Sequence, residues 1–305
     1  MNRMLREPTH CSRWIVLLTS TLALLALLLV TLPGRSFGAS AVTTATPIAS
    51  PTPAATDEPD LAERIDARLS KVADADRFNG AVLIAKDGEV ILSKGYGLAN
   101  RELDVPMTAQ SKFRIGSLTS LFTALATMRL VQEGAIALGD SICDYLDDCP
   151  EAWQPITIDH LLARTSGLAP LESIPNSATV RKAGATPQRL LAIYQDLPLT
   201  STPGKAWNYS AMSDILLGTV IGKQGTPFGT FVQENILDPL EMADTGLDNG
   251  SRLLAGRADG YASSSTRASY VDIATMGAAG AMYSTVEDLY RLVQGVTGGA
   301  ILSDT

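Results

Sequence analysis

Histidine is almost missing from this chain: His10 and His160 are the two in 305 residues. A Ser-His-Asp relay would need one of them, and a His-rich metal centre has too few. Cysteine is scarce too, at three residues, which excludes a small disulfide-built scaffold. Cationic charge is in deficit, with 24 Lys and Arg against 32 Asp and Glu and a net charge of −8. With aromatics at only 6% and no basic run interleaved with them, nucleic acid is excluded as a partner. No internal repeat is visible. What remains is 46% hydrophobic and 18% charged, a composition that buries a full core and excludes disordered and collagen-like classes. The length suits one large domain or two modest ones.

Arg3, Arg6 and Arg13 precede an apolar stretch from Trp14 to Leu32, followed by Pro33-Gly34 and the small triplet Ala39-Ser40-Ala41. This is the pattern of a secretion signal over residues 1–41, cleaved after Ala41. An uncleaved anchor is the alternative, since the run approaches the ~20 residues that span a bilayer. Either way the body is expected outside the cytoplasm, periplasmic, secreted or membrane-anchored, and meets membrane only through this segment. Loss of residues 1–41 would make the chain more acidic still and remove Cys11. Cys143 and Cys149, left in SICDYLDDCP, are then expected to form a disulfide. A metal site is the alternative, without a neighbouring His to support it. Residues 42–59, rich in Pro, Ala and Thr, read as a solvated linker.

The domain is expected over 60–305. Leu61, Ile65, Leu69 and Val72 predict an amphipathic helix over 60–74. AVLIA, then Lys86-Asp87-Gly88-Glu89, then Val90 to Ser93 predict a β-hairpin turning at Asp-Gly. Apolar residues return at helical spacing from Ser117 to about Glu133, over 158–163 and over 213–222. Ser284-Thr285-Val286-Glu287 reads as a capping box opening a helix to about Gln294. Only one hairpin's worth of strand is evident.

The stretch FRIGSLTSLFTA is the most informative. A serine at the first turn of a long helix has unpaired backbone N–H groups and the positive helix end beside its hydroxyl, which suits a nucleophile gathering negative charge. Read from local chemistry alone, an N-cap serine is the preferred reading of Ser117. Further along stand ITIDHLLARTSGL, PGKAWNYSAMSDILLGTVI, ILDPLEMADTG and GAAGAMYSTVEDLYRL. With FNGAVLIAKDGEVILSKGYGLAN and LVQEGAIALGDSICDYL, these segments make the chain resemble the serine β-lactamase and penicillin-binding-protein-like family, in its class C, esterase and D-aminopeptidase branch. The resemblance runs from about Phe78 to Thr305.

It implies an α+β fold, a helical subdomain plus an antiparallel sheet flanked by helices. It also implies acyl transfer through an acyl-serine, with Ser117 as nucleophile and no cofactor or metal. The family's first motif is S-x-x-K, its lysine one helical turn after the serine and on the same face. Here it reads Ser117-Leu118-Thr119-Ser120, so a hydroxyl stands where the amine would be. Lys112 lies upstream and is expected to point elsewhere. The second motif, Y-x-N, survives as Tyr209-Ser210-Ala211. By resemblance Tyr209 is the general base or proton relay, and Ala211 has lost a substrate-binding amide. Phenols ionise near pH ~10 and need a cationic neighbour to serve at neutral pH, which position 120 does not provide. Asp214 stands where an aromatic is common, a lesser departure. Thr165-Ser166-Gly167 reads as a turn shaping the pocket, and His160 as a structural residue.

A third motif, Lys or His followed by Thr or Gly and then Gly, is not found before Leu302-Ser303-Asp304-Thr305. The sheet half is therefore expected to be incomplete and the domain truncated at its C-terminus. Loss of one oxyanion-hole donor typically costs ~100- to 1,000-fold in rate. The expectation is an exported serine-hydrolase-family protein for amide, ester or β-lactam substrates, impaired or inactive as written. A small acyl or peptide substrate or a cell-wall peptide is its expected partner. A non-catalytic cell-wall peptide- or protein-binding pseudoenzyme and a truncated reading frame are the alternatives. The pattern leaves substrate class and oligomeric state open.

Overall fold

The computed structural model describes residues 60–184 and 186–303. The signal or anchor of 1–41 and the linker of 42–59 lie outside the described residues. Among those described, no helix is long and apolar enough to cross a membrane.

Helix α1 (Leu61–Asp74) opens the domain, with the Asp60 side chain accepting from the Leu61 N–H. The hairpin follows as β1 (Gly80–Lys86) and β2 (Glu89–Tyr96), antiparallel from Gly80–Tyr96 to Lys86–Glu89. Asp87 and Gly88 both have positive φ, 52° and 86°, the two-residue turn whose twist matches its strands. The hairpin is flanked by helices rather than by strands alone. Asp66 of α1 accepts from Lys94 Nζ and Tyr96 Oη of β2, both at 2.8 Å. A C-terminal helix touches the other side, where Tyr290 Oη donates to the Gly88 carbonyl at 2.9 Å.

Short strands come next: β3 (Leu98–Asn100) paired with β4 (Val105–Pro106), then β5 (Phe113–Arg114). β5 leads into α2 (Thr119–Gln132), and α3 (Ile158–Leu162), α4 (Ser177–Lys182), α5 (Pro187–Tyr194), α6 (Ala211–Lys223) and α7 (Phe228–Val232) build the helical half. The chain then returns through β6 (Gly246–Leu247), β7 (Tyr261–Ser263), β8 (Thr266–Arg267) and β9 (Met282–Ser284) to α8 (Val286–Thr297). β9 pairs with both β5 and β6, so the entry to α2 is clamped by residues about 170 positions away. Every pair of named strands is antiparallel.

Two expectations need correction. There are strands beyond the hairpin, each of two or three residues, too short to show an alternating pattern. The last helix is capped one residue later than its sequence suggests. Thr285 is the N-cap and accepts from the Asp288 N–H at 3.2 Å, while Ser284 belongs to β9 and exchanges a 2.7 Å bond with Thr245. Asp288 wins position N3 because its carboxylate also takes the Asp244 N–H and the Thr245 hydroxyl, both within 2.9 Å.

The core centres on α6, which is buried on nearly every side: Ala211 to Leu217, Val220 and Ile221 are all inaccessible. Such a helix needs apolar neighbours all round, and α2, α3, α5 and α7 supply them. Phe122, Leu125 and Leu130 pack from α2 and Ile158 and Leu161 from α3. Cys143 and Cys149 form the expected disulfide, Cα atoms 5.4 Å apart, closing the loop before fully buried Trp153. Replacing both cysteines by serine should lower stability by about 2 kcal/mol through unfolded-chain entropy, as read from urea denaturation. An unchanged midpoint would contradict this.

Candidate active site

Ser117 sits in a one-turn 3-10 segment, Gly116–Leu118, that runs directly into α2. The helix proper thus begins two residues after the expected start. The chain must turn sharply out of β5 to enter it, and Gly116 does so with φ 54°. Two long-range bonds fix the entrance: the Ile115 N–H donates to the Met282 carbonyl at 3.0 Å, and the Met282 N–H donates to Thr119 Oγ1 at 3.2 Å. Ser117 itself is exposed.

Ser120 is one turn further on. Its hydroxyl donates to Asp214 Oδ2 at 2.8 Å, joining the first turn of α2 to the first turn of α6. Asp214 is only 1% exposed. It also accepts two parallel bonds from Arg164, Nη1 to Oδ2 at 2.9 Å and Nη2 to Oδ1 at 2.8 Å. Burial pushes the Asp214 carboxyl above its ordinary value, against the hydrogen bonds and charge of Arg164 and the Ser120 hydroxyl, which pull it down. The Arg164 guanidinium carbon Cζ lies over the Tyr209 ring, 5.4 Å from its centroid. Ser120, Asp214, Arg164 and Tyr209 therefore form one connected chain of groups beginning three residues from Ser117.

Arg164 occupies this place at a cost in backbone energy. It follows the C-cap Ala163 of α3 and adopts the left-handed region, φ 61°, where glycine is usual. The Thr165 N–H closes the turn on the His160 carbonyl at 2.9 Å, and the Arg164 N–H on the Leu161 carbonyl at 3.3 Å. A non-glycine residue there costs about 1–2 kcal/mol. The turn is held on its far side by the 200–208 loop. The Asn208 N–H donates to the Arg164 carbonyl at 2.8 Å, and Asn208 Nδ2 to the Leu168 carbonyl at 3.0 Å. Ser210 caps α6 and donates to the Ala169 carbonyl at 2.7 Å. Tyr209 is thus pinned from both neighbours with its ring partly exposed.

The remaining residues singled out in the sequence take supporting positions. Ala211 is buried at the start of α6. His160 forms a reciprocal cap with Thr157, each backbone N–H donating to the other's side chain at 3.2–3.3 Å. Ser166 is buried and shares a 3.4 Å contact with Ser213, while Gly167 has φ 77° and a Cβ there would meet the Ser201 carbonyl oxygen at 2.1 Å. Lys112 is engaged with Asp244 at 2.8 Å and lies over the Tyr283 ring. A cavity of about 520 Å³ lies further along α6, between Ile215, Gly218, Thr219, Phe228 and Ala278, and contains none of Ser117, Ser120 or Tyr209.

Asp214 is more than a lesser departure, because it holds Arg164, a residue that no sequence motif marks. The signal was present: an aspartate inside the apolar helix SAMSDILLG must find a cation or a dense set of donors. What the sequence lacked was the partner's address, 50 residues away.

Residues 63–305 match the family model described as Beta-lactamase. The chain is 32% identical over 218 residues to esterase EstB of Burkholderia gladioli, covering 64% of this chain and 54% of that protein. It is 26% identical over 230 residues to PbpX of Bacillus subtilis (strain 168), covering 74% and 56% respectively. The chain therefore spans about half the length of these curated relatives. Among solved structures, an octameric penicillin-binding protein homologue from Pyrococcus abyssi superposes with a TM-score of 0.67 at 27% identity, over 80% of this chain and 58% of that one. The antiparallel strand pairs and the helical half are thus those of an α+β, β-lactamase/transpeptidase-like fold, and the chain belongs to the beta-lactamase family.

Proposed function

We propose that the protein is an exported serine hydrolase that forms an acyl-serine on Ser117 from amide, ester or β-lactam substrates, with low turnover. The observation that carries the reading is the placement of Ser117: exposed, at the entrance of α2, one turn before a hydroxyl that is wired to the Tyr209 ring through Asp214 and Arg164. Backbone N–H groups at such an entrance stabilise negative charge developing on an acyl oxygen. Tyr209, partly exposed beside a guanidinium, is the group proposed to relay the serine proton. Low turnover is proposed because position 120 carries neither a base nor a charge and Ala211 offers no hydrogen bond to an acyl substrate. Export rests on the arginines and the apolar stretch of residues 1–41.

The test is incubation of the full chain with a fluorophosphonate and with a penicillin, followed by intact mass and peptide mapping. A slowly accumulating adduct on Ser117, absent from Ser117→Ala, is the expected result. Absence of any adduct after prolonged exposure overturns the hydrolase reading. Rapid steady-state hydrolysis overturns the low turnover.

A further inference from the structure

We infer that Arg164 is the positioning cation of this site, held by Asp214 and Ser120 so that its guanidinium lies against the ring of Tyr209. The inference rests on the hydrolase reading for its catalytic meaning, and on geometry alone for the placement. Three observations converge on it. Arg164 takes a left-handed backbone at the end of α3 where glycine would fit without strain, so something in its side chain offsets that cost. Its fork is engaged by both oxygens of a carboxylate that is 1% exposed, which fixes the plane of the guanidinium. The Cζ of the same guanidinium lies over the ring of Tyr209, the partly exposed aromatic next to the α6 cap. A lysine could not reproduce the fork, because an ammonium is a point charge without a preferred plane.

Ser120 then changes meaning. Its hydroxyl is the third donor to Asp214, a strut of the cation rather than an empty place waiting for an amine. An ammonium introduced at 120 would compete with Arg164 for Asp214 and set two positive charges against one buried carboxylate. Ser120→Lys should therefore pull the guanidinium away from Tyr209 and slow the reaction of Ser117. If position 120 were simply vacant, the same substitution would speed it.

The experiment compares the full chain with R164Q, R164K and S120K in two measurements. The first is the rate of fluorophosphonate labelling at Ser117, divided by the folded fraction from circular dichroism. R164Q is expected to be about tenfold slower, with R164K between it and the parent, and S120K slower than the parent. The second is the Tyr209 ring signal in 13C-tyrosine NMR, assigned with Tyr209→Phe; it should move in R164Q and S120K and move least in R164K. Labelling of R164Q at the parental rate, or acceleration in S120K, overturns the inference. If the parent does not label at all, the hydrolase reading has failed, and the NMR decides the placement: an unmoved ring signal in R164Q overturns it. If R164Q does not fold, S120K and R164K carry the same comparison.

Discussion

Replacing Arg164 by methionine should lower stability by about 3–5 kcal/mol, the usual penalty for stranding one half of a buried ion pair. Asp214 would keep only the Ser120 hydroxyl of its three hydrogen bonds while remaining inside the packed body of α6. Removing both partners, as Arg164→Met with Asp214→Leu, should recover most of the loss, because two apolar side chains need no solvation. Urea denaturation of the parent, the two single variants and the double variant gives the coupling directly. The pH dependence gives a second check. Burial already holds the Asp214 carboxyl above its ordinary 3.8, with Arg164 opposing that shift. A carboxyl whose folded value lies above its unfolded value contributes stability below the unfolded value and loses it as pH rises through the folded one. Taking Arg164 away removes the opposition, so the folded value climbs further and the loss extends to higher pH. The penalty of Arg164→Met should therefore be smaller in mildly acidic than in mildly alkaline buffer. A penalty equal in both would mean that Asp214 does not carry the effect.

Truncating Phe122 to alanine should cost about 3–5 kcal/mol. Phe122 is fully buried in the main core, and deletion of its ring leaves a cavity beside α2, whose first turn is tied to that of α6 by the Ser120–Asp214 bond. Such a void cannot collapse without moving α2 or the core packed against it. Its neighbour Leu121 is 44% exposed, and Leu121→Ala should cost under about 1 kcal/mol. The pair separates packing from helix propensity, since both replacements introduce the same residue one position apart. Thermal unfolding followed at 222 nm distinguishes them, and comparable losses for the two would contradict the burial pattern.

Much of the fold was legible in the sequence because it rests on local signals. The i, i+4 apolar spacing of Leu61, Ile65 and Leu69 locates α1. The Asp-Gly pair locates the hairpin turn, and the apolar run through Ile215–Leu217 locates α6. Helices α4, α5 and α7 show too little apolar periodicity to be legible locally, and the two- and three-residue strands are too short for any. Among them β5 owes its pairing to a partner far along the chain. Phe113 meets Ser284 with the whole helical half lying between them in sequence.

The candidate site divides in the same way. Sequence alone determined that Ser117 opens a helix, that position 120 holds no lysine, that Tyr209 precedes the cap of α6 and that an aspartate is set within an apolar helix. Tertiary structure decided what those facts mean together. A charge at the end of α3 reaches across to α6, answers the buried Asp214, and brings a guanidinium to the Tyr209 ring. The physical reason is that a helix is held by bonds four residues apart and announces itself locally. A buried carboxylate is held by whichever donors the packing brings to it, and no spacing in the sequence encodes which cation that is.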